Sequence, residues 1–394
     1  MQSAIYNIKG DKVLALDSSL NKDEQTIILP IQRVLNKLNA RLIQVPLGQP
    51  KFADKRYTSR DFSTKFFNPI PKVKCDSKIG FIDGGNAPVY ASPNVAVHLS
   101  RVYFSIFQNG KRVNPRFLPQ RMEFFTICYT IVEKKRIFFE AELVPVIEEW
   151  TEYLPDLAGM RFDSFDPSLM TGRFRVPIAR IAETVRSFAE WKITGLISEH
   201  ELDEGDAVVR DGTLQTTVTN ERFYSNEAMA SARKNNVTLL GLAKTSTLFT
   251  STGFPLFAAI AELSEDSDFK KDAWYYYPIV DINQPDHRAE MYAVKLHPNS
   301  EYVFRLEILK DQAKMMDKKE QEKCICSLAE CSKDASFPGY PYGLIDADRF
   351  ARVSGIEACG QNLQFLSFAG SSGVLERLKK CLKTSDAHEL LNKI

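Results

Sequence analysis

The sequence predicts an α/β protein built on a mixed β-sheet, and three observations carry that prediction. Between residues 78 and 145, apolar runs of strand type follow one another across short turns, the pattern of antiparallel strands. Between 177 and 248 the order becomes helix, strand, helix, strand, which points to parallel pairing. From residue 274 onward, three more short strands precede helical segments. No linker follows residue 78. Residues 78–394 therefore read as one domain, preceded over 1–77 by a helical extension and a connector.

Each element has its own signal. In "EQTIILPIQRVLNKLNARLIQV", residues 24–45, Ile31, Val34, Leu35 and Leu38 recur at helical spacing. Residues 46–77 are rich in Lys, Pro and polar groups and read as the connector. "KIGFIDGG" is a short buried strand that ends at Asp83, and "VAVHLSRVYFSIF" is the next. "NGK" at 109–111 is an Asn-Gly hairpin turn. "FFTICYTIVEKKRIFFEAELVPV" holds two strands around a charged turn at Glu133 to Arg136. Pro177 opens a helix on which Ile178, Ile181, Ala182, Val185, Phe188 and Ala189 share a face. "DAVVRDGTLQT" is a strand that again ends in Asp-Gly. A helix, "NERFYSNEAMASARKNN", and a strand, "VTLLGLAKTSTL", follow. The last third carries "WYYYPIVDI", "MYAVKLH", "YVFRLEIL", a Lys/Glu-rich helix, the turn-helix "FPGYPYGLIDADRFARVSG" and an amphipathic tail.

The bulk numbers exclude some classes of function. The 51 basic and 50 acidic residues leave a net charge of +1, so any contact with nucleic acid must come from local basic patches. No apolar run approaches the roughly 18 residues of a membrane span. The N-terminus has acids and no apolar core of signal-peptide type. Seven scattered cysteines suit a reducing compartment, so a cytoplasmic location is expected. "CICSLAEC" lacks zinc-ligand spacing and reads as helix, and "GLAKTS" lacks the spacing of a phosphate-binding P-loop.

The acids carry the candidate chemistry. Asp83 in "FIDGG" and Asp211 in "VVRDGTL" both close an apolar strand and precede glycine. A carboxylate at a strand end is held rigidly, and glycine beside it admits a close-approaching metal or backbone. Mg²⁺ and Mn²⁺ prefer such oxygen ligands, and two Asp on neighbouring strands can hold one or two ions. Paired ions catalyse phosphodiester cleavage by activating water and stabilising the leaving oxygen. Asp-Gly is equally a hairpin signal, so each motif alone has a structural reading. A third acid is available on the helix at Glu183, with Glu190 seven residues on; a solvated helix face accounts for both as well. A fourth lies in "LIDADRF", at Asp346 or Asp348, where an acid also favours the helix dipole.

Basic and aromatic residues could serve a polyanion. Lys244, at the end of a strand, is placed to meet a phosphate or transition-state charge. Lys111, Arg112, Arg116 and Arg121 cluster in "NGKRVNPRFLPQR" with few acids and could track a DNA backbone. Tyr340 and Tyr342 in "GYPYG" could stack on a base or pack the turn.

From residue 78 to the C-terminus, the ordered blocks "FIDGG", the helix with Glu183, "VVRDGTL", "LLGLAKTSTL" and "YPYGLIDADRFARV" resemble the NurA nuclease family. The resemblance implies an RNase H-like sheet flanked by helices, here with an N-terminal helical extension and added C-terminal strands and helices. It implies a homodimer that degrades DNA with Mn²⁺ or Mg²⁺, two ions per site, beside a HerA-like hexameric ATPase. Residue by residue, it assigns Asp83, Glu183 and Asp211 as catalytic metal ligands. It puts the last ligand at Asp348, with Asp346 second; a histidine in the family at that place would make this chain a departure. Lys244 joins the catalytic set. The rival expectation is an inactive RNase H-like DNA-binding or scaffold subunit of a translocase complex.

Overall fold

The apolar periods of the sequence become a long sheet with helices on both faces. The computed structural model describes residues 30–39, 46–72, 76–156 and 159–382. They fall into two units, Met1–Leu47 and Gly48–Ile394. The first contributes helix α1, residues 30–39, inside the helical pattern read over 24–45. The second begins with three short strands, β1 (Pro50–Lys51), β2 (Tyr57–Ser59) and β3 (Phe67–Pro69). Then come β4 (Lys78–Ala91), β5 (Val95–Gln108), β6 (Lys111–Val113), β7 (Arg121–Glu133), β8 (Arg136–Pro145) and β9 (Arg161–Asp163). Helix α2 (Ile178–His200) leads to β10 (Ala207–Asp211), α3 (Glu221–Lys234) and β11 (Thr238–Ala243). After β12 (Phe249–Thr250) and α4 (Leu256–Glu265) the chain forms β13 (Trp274–Tyr276), β14 (Val280–Ile282), β15 (Ala289–Lys295) and β16 (Phe304–Leu309). Helices α5 (Lys310–Met315), α6 (Lys318–Glu330), α7 (Tyr342–Ala351), α8 (Gly355–Ser371) and α9 (Leu375–Leu382) complete the described chain.

Among the described residues, twelve strands form one sheet, in the order β3-β13-β15-β16-β11-β10-β4-β5-β7-β8-β9, with β6 paired to β5. The hairpins fall where the sequence places them. Asn109 and Gly110 take φ of 51° and 71°, and Lys134 and Lys135 take 48° and 65°, the left-handed pairs that suit tight antiparallel turns. On the other side of β4 the pairing turns parallel: β4 with β10, and β10 with β11 across α3. Three antiparallel strands continued by two parallel ones make the RNase H-like mixed sheet. Strands β13, β15 and β16 extend it at the C-terminal side.

Burial explains why helices take both faces. Ile181, Val185 and Phe188 of α2 are fully buried with Ile82, Val102 and Phe104. Each such side chain contributes about 1.5–3 kcal/mol when removed from water. The opposite face packs Phe81, Val209 and Leu242 against Ile325 and Leu328 of α6 and Leu344 of α7.

Two expectations need correction. The segment 46–77 is no mere connector, because β1, β2 and β3 pair with β12, β14 and β13. Its aromatic residues Phe52, Tyr57, Phe66 and Phe67 join a core with Trp274 and Tyr276, so this segment packs within the compact unit Gly48–Ile394. Nor does the strand end at Asp83, since β4 runs 14 residues, through Gly84 and Gly85. A side chain at Gly84 would collide with the Glu190 carboxylate, and one at Gly85 with the backbone oxygen of Ala351. The glycines let α2 and α7 close on the sheet from opposite faces. Space for a metal or phosphate is not what their missing side chains provide.

Candidate active site

Parallel pairing brings the two Asp-Gly motifs together. Ile82 stands opposite Arg210 in the register of β4 and β10, so Asp83 and Asp211 come next on adjacent strands. Strand β10 stops at Asp211, and Gly212 turns away at φ 107°, a conformation that favours glycine. Helix α7 lies over β4, its Gly343 pressed on the Phe81 ring, and this carries Asp348 to the same place. One carboxylate oxygen from each of Asp83, Asp211 and Asp348 lies within 4.8 Å of the other two.

Lys244 enters this triangle from the end of β11. Its ammonium stands 2.7 Å from Asp211, 2.7 Å from Asp348 and 4.0 Å from Asp83. Tyr340, just before α7, is buried beneath the group, and its hydroxyl meets no hydrogen-bond partner of good geometry. Lys244 Nζ sits 5.7 Å from the Tyr340 ring centroid.

The cluster is short of positive charge. Asp83 is pushed up to about 8, first by burial and then by the carboxylates of Asp211 and Glu190. Burial works against the charge of Lys244, yet Asp211, Asp348 and Asp83 outweigh it and hold the ammonium above its ordinary range. Tyr340 is driven well above the usual phenol value by burial and by the three aspartates. Three hard oxygen donors around one point, with a buried and unsatisfied hydroxyl beside them, are the donor set that Mg²⁺ or Mn²⁺ prefers.

Of the expected residues, the structure brings together Asp83, Asp211, Asp348 and Lys244. Glu183 stands apart: it is exposed on α2, about 10 Å along the helix axis from Glu190. Glu190 is the buried one. Its carboxylate accepts from Arg210 at 3.0 Å, pairs with Arg186, and lies against Gly84. Its neighbours Phe188, Ala189 and Trp191 are buried too, so the signal that could have found it was an acid inside an apolar run. Asp346 is also turned elsewhere, paired with Arg112 on the flank of α7. The difference follows from helix geometry, since positions two apart on a helix face different ways.

The basic hairpin is more heavily paired than its sequence suggests. Arg116 is held by the Glu201 backbone oxygen at 2.7 Å and by Asp203 at 3.1 Å, and Arg121 by Glu123 at 2.8 Å. Lys111 is exposed. Tyr342 packs edge-on against Phe107, ring centroids 4.7 Å apart, so it fills the turn, while Tyr340 is the tyrosine at the acids.

A family model described as the NurA domain matches residues 77–353. Among solved structures, the chain is similar to the NurA nuclease from Sulfolobus solfataricus, at 13% identity and a TM-score of 0.48, covering 90% of this chain and 98% of that one. It is also similar to a DNA-bound Endonuclease V from Ciona intestinalis, at 12% identity and a TM-score of 0.29, covering 70% and 84%. Argonaute from Aquifex aeolicus matches at 11% identity and a TM-score of 0.29, covering 71% and 28%. No curated protein matches the chain by sequence. No helix of the described residues is long and apolar enough to cross a membrane.

Proposed function

The chain belongs to the NurA family, and from that premise we propose that it is a divalent-metal-dependent nuclease hydrolysing the phosphodiester bonds of DNA. The observation that carries this is the convergence of Asp83 within β4, Asp211 at the end of the parallel strand β10, and Asp348 on α7. Those three residues would hold Mn²⁺ or Mg²⁺. A bound cation supplies Lewis-acid charge to the phosphate and acidifies the attacking water.

The chain's own groups do the rest. The strands fix Asp83 and Asp211 before substrate arrives, so their orientation costs nothing at the moment of reaction. Lys244 offers a positive charge to a phosphate oxygen, and the unpartnered Tyr340 hydroxyl offers a proton for a hydrogen bond. A second ion needs a fourth carboxylate. The helix acid whose charge acts on Asp83 is Glu190, but it lies on the other face of the sheet, paired with Arg186 and Arg210, so the reading rests on the three aspartates. The remaining parts of the reading, a homodimer working with a HerA-like hexameric translocase in DNA-end processing or defence against phage, rest on family membership.

The test is Mn²⁺-dependent degradation of end-labelled single- and double-stranded DNA, with and without the translocase. Asp83→Asn should lower the rate by on the order of 10³-fold with the fold intact by circular dichroism. Undiminished cleavage by Asp83→Asn would end the nuclease assignment to this site.

A further inference from the structure

Resting on that nuclease reading, we propose that Lys244 is a resident counter-ion, occupying the position of a divalent cation among Asp83, Asp211 and Asp348 and leaving it when the cation binds. Its ammonium makes contacts of 2.7 Å to two of the aspartates and stands 4.0 Å from the third. A Mg²⁺ ion bound to those oxygens at roughly 2.1 Å would take the same volume, so the ion and the ammonium exclude one another. Among the described residues, no other basic side chain pairs with any of the three acids.

The choice of residue fits a temporary occupant. Glu190, on the other face of the sheet, is neutralised by two arginines, and the one that reaches it at 3.0 Å, Arg210, is itself buried and stacked over Trp191 at 4.4 Å. That pairing is built to stay. Lys244 is instead a point charge on a flexible four-carbon stem, with 37% of its side chain exposed and a route to solvent. It follows the last residue of β11, in a stretch without regular structure up to Leu248. One ammonium among three carboxylates leaves the cluster negative, whereas a divalent ion matches it more closely. The lysine thus keeps the acids assembled without cation and cedes to a stronger one.

Displacement costs affinity, so removing the lysine should tighten metal binding. Calorimetric titration of the full chain with Mn²⁺ should give a dissociation constant on the order of tenfold lower for Lys244→Met and Lys244→Gln than for the wild type, even as cleavage slows. An equal or weaker affinity, or no saturable binding in any of the three, would overturn the proposal. A wild-type measurement stands in should the variants misfold. Amine labelling of Lys244, read by mass spectrometry, should rise several-fold on adding Mg²⁺, and unchanged labelling would likewise overturn it. The nuclease assignment fails separately, by active Asp83→Asn, which leaves both binding results in force.

Discussion

Two ionic clusters lie close together in this molecule and are built on opposite plans. Glu307, on β16, is wholly buried. It accepts from Arg305 Nε at 2.7 Å and from the Leu214 backbone N–H at 2.7 Å, and it meets His287 Nε2 at 2.7 Å. The other ring nitrogen of His287 meets the Tyr57 hydroxyl at 3.0 Å. Burial pushes the carboxyl of Glu307 up, but Arg305, His287 and the Leu214 amide overcome this and hold it down at about 2. At Asp83, burial and neighbouring carboxylates push the same way, to about 8. One cluster is satisfied by the protein and sealed. The other has three acids, one ammonium and an opening to solvent. An under-compensated charge of this kind marks a candidate ligand site. The closed cluster also serves the open one, because the Leu214 amide it holds belongs to the loop that follows Asp211.

This contrast can be broken. Glu307→Ala strands Arg305, and urea unfolding should show a loss of about 3–5 kcal/mol. A loss below about 1 kcal/mol would erase the distinction between the clusters. Glu190→Ala should cost about 3 kcal/mol, because Arg210 is buried without its partner, while Glu183→Ala should stay within about 0.5 kcal/mol. Equal effects in the two variants would return the helix acid to Glu183.

His98 tests a third arrangement, a buried titratable group kept neutral. Its Nδ1 meets Asn86 Nδ2 at 3.0 Å, its Nε2 has no partner, and burial lowers it to about 4. The unfolded chain therefore takes up a proton below about 6.5 that the folded chain refuses until about 4. Stability from this group is complete above about 6.5 and is lost as pH falls toward 4. Comparing unfolding free energies at pH 7 and pH 4.5, His98→Gln should remove about 1–2 kcal/mol of the acid sensitivity. A change of opposite sign belongs to the open cluster itself. Asp83→Asn should leave the stability of the cation-free protein unchanged or raise it by up to about 1 kcal/mol, the opposite sign to Glu307→Ala, while slowing cleavage on the order of 10³-fold. A marked thermal destabilisation would give Asp83 a structural role instead.

Much of this was legible in the chain itself. The strands, the Asn109-Gly110 turn, the helix of Ile181 and Phe188 and the parallel alternation before Lys244 are all local patterns, and each appears where its pattern falls. Asp83 and Asp211 were legible because each follows an apolar run, and parallel pairing then had to make them neighbours. The aromatic residues of 50–69 were misjudged because their partners, Trp274 and Tyr276, lie some two hundred positions away.

What the sequence determined alone was therefore the kind and order of elements and the two acids that follow apolar runs. Periodicity and turn chemistry act between residues a few positions apart, and a sequence displays them directly. Only the tertiary structure decided which helix glutamate is buried, Glu190 and not Glu183, and which acid of "LIDAD" reaches the centre, Asp348 and not Asp346. It also decided that Tyr340 lies at the acids, and that Gly84 and Gly85 make way for helices. These choices turn on a few ångströms between groups more than a hundred residues apart, and helix rotation and sheet register must be in place before such distances exist.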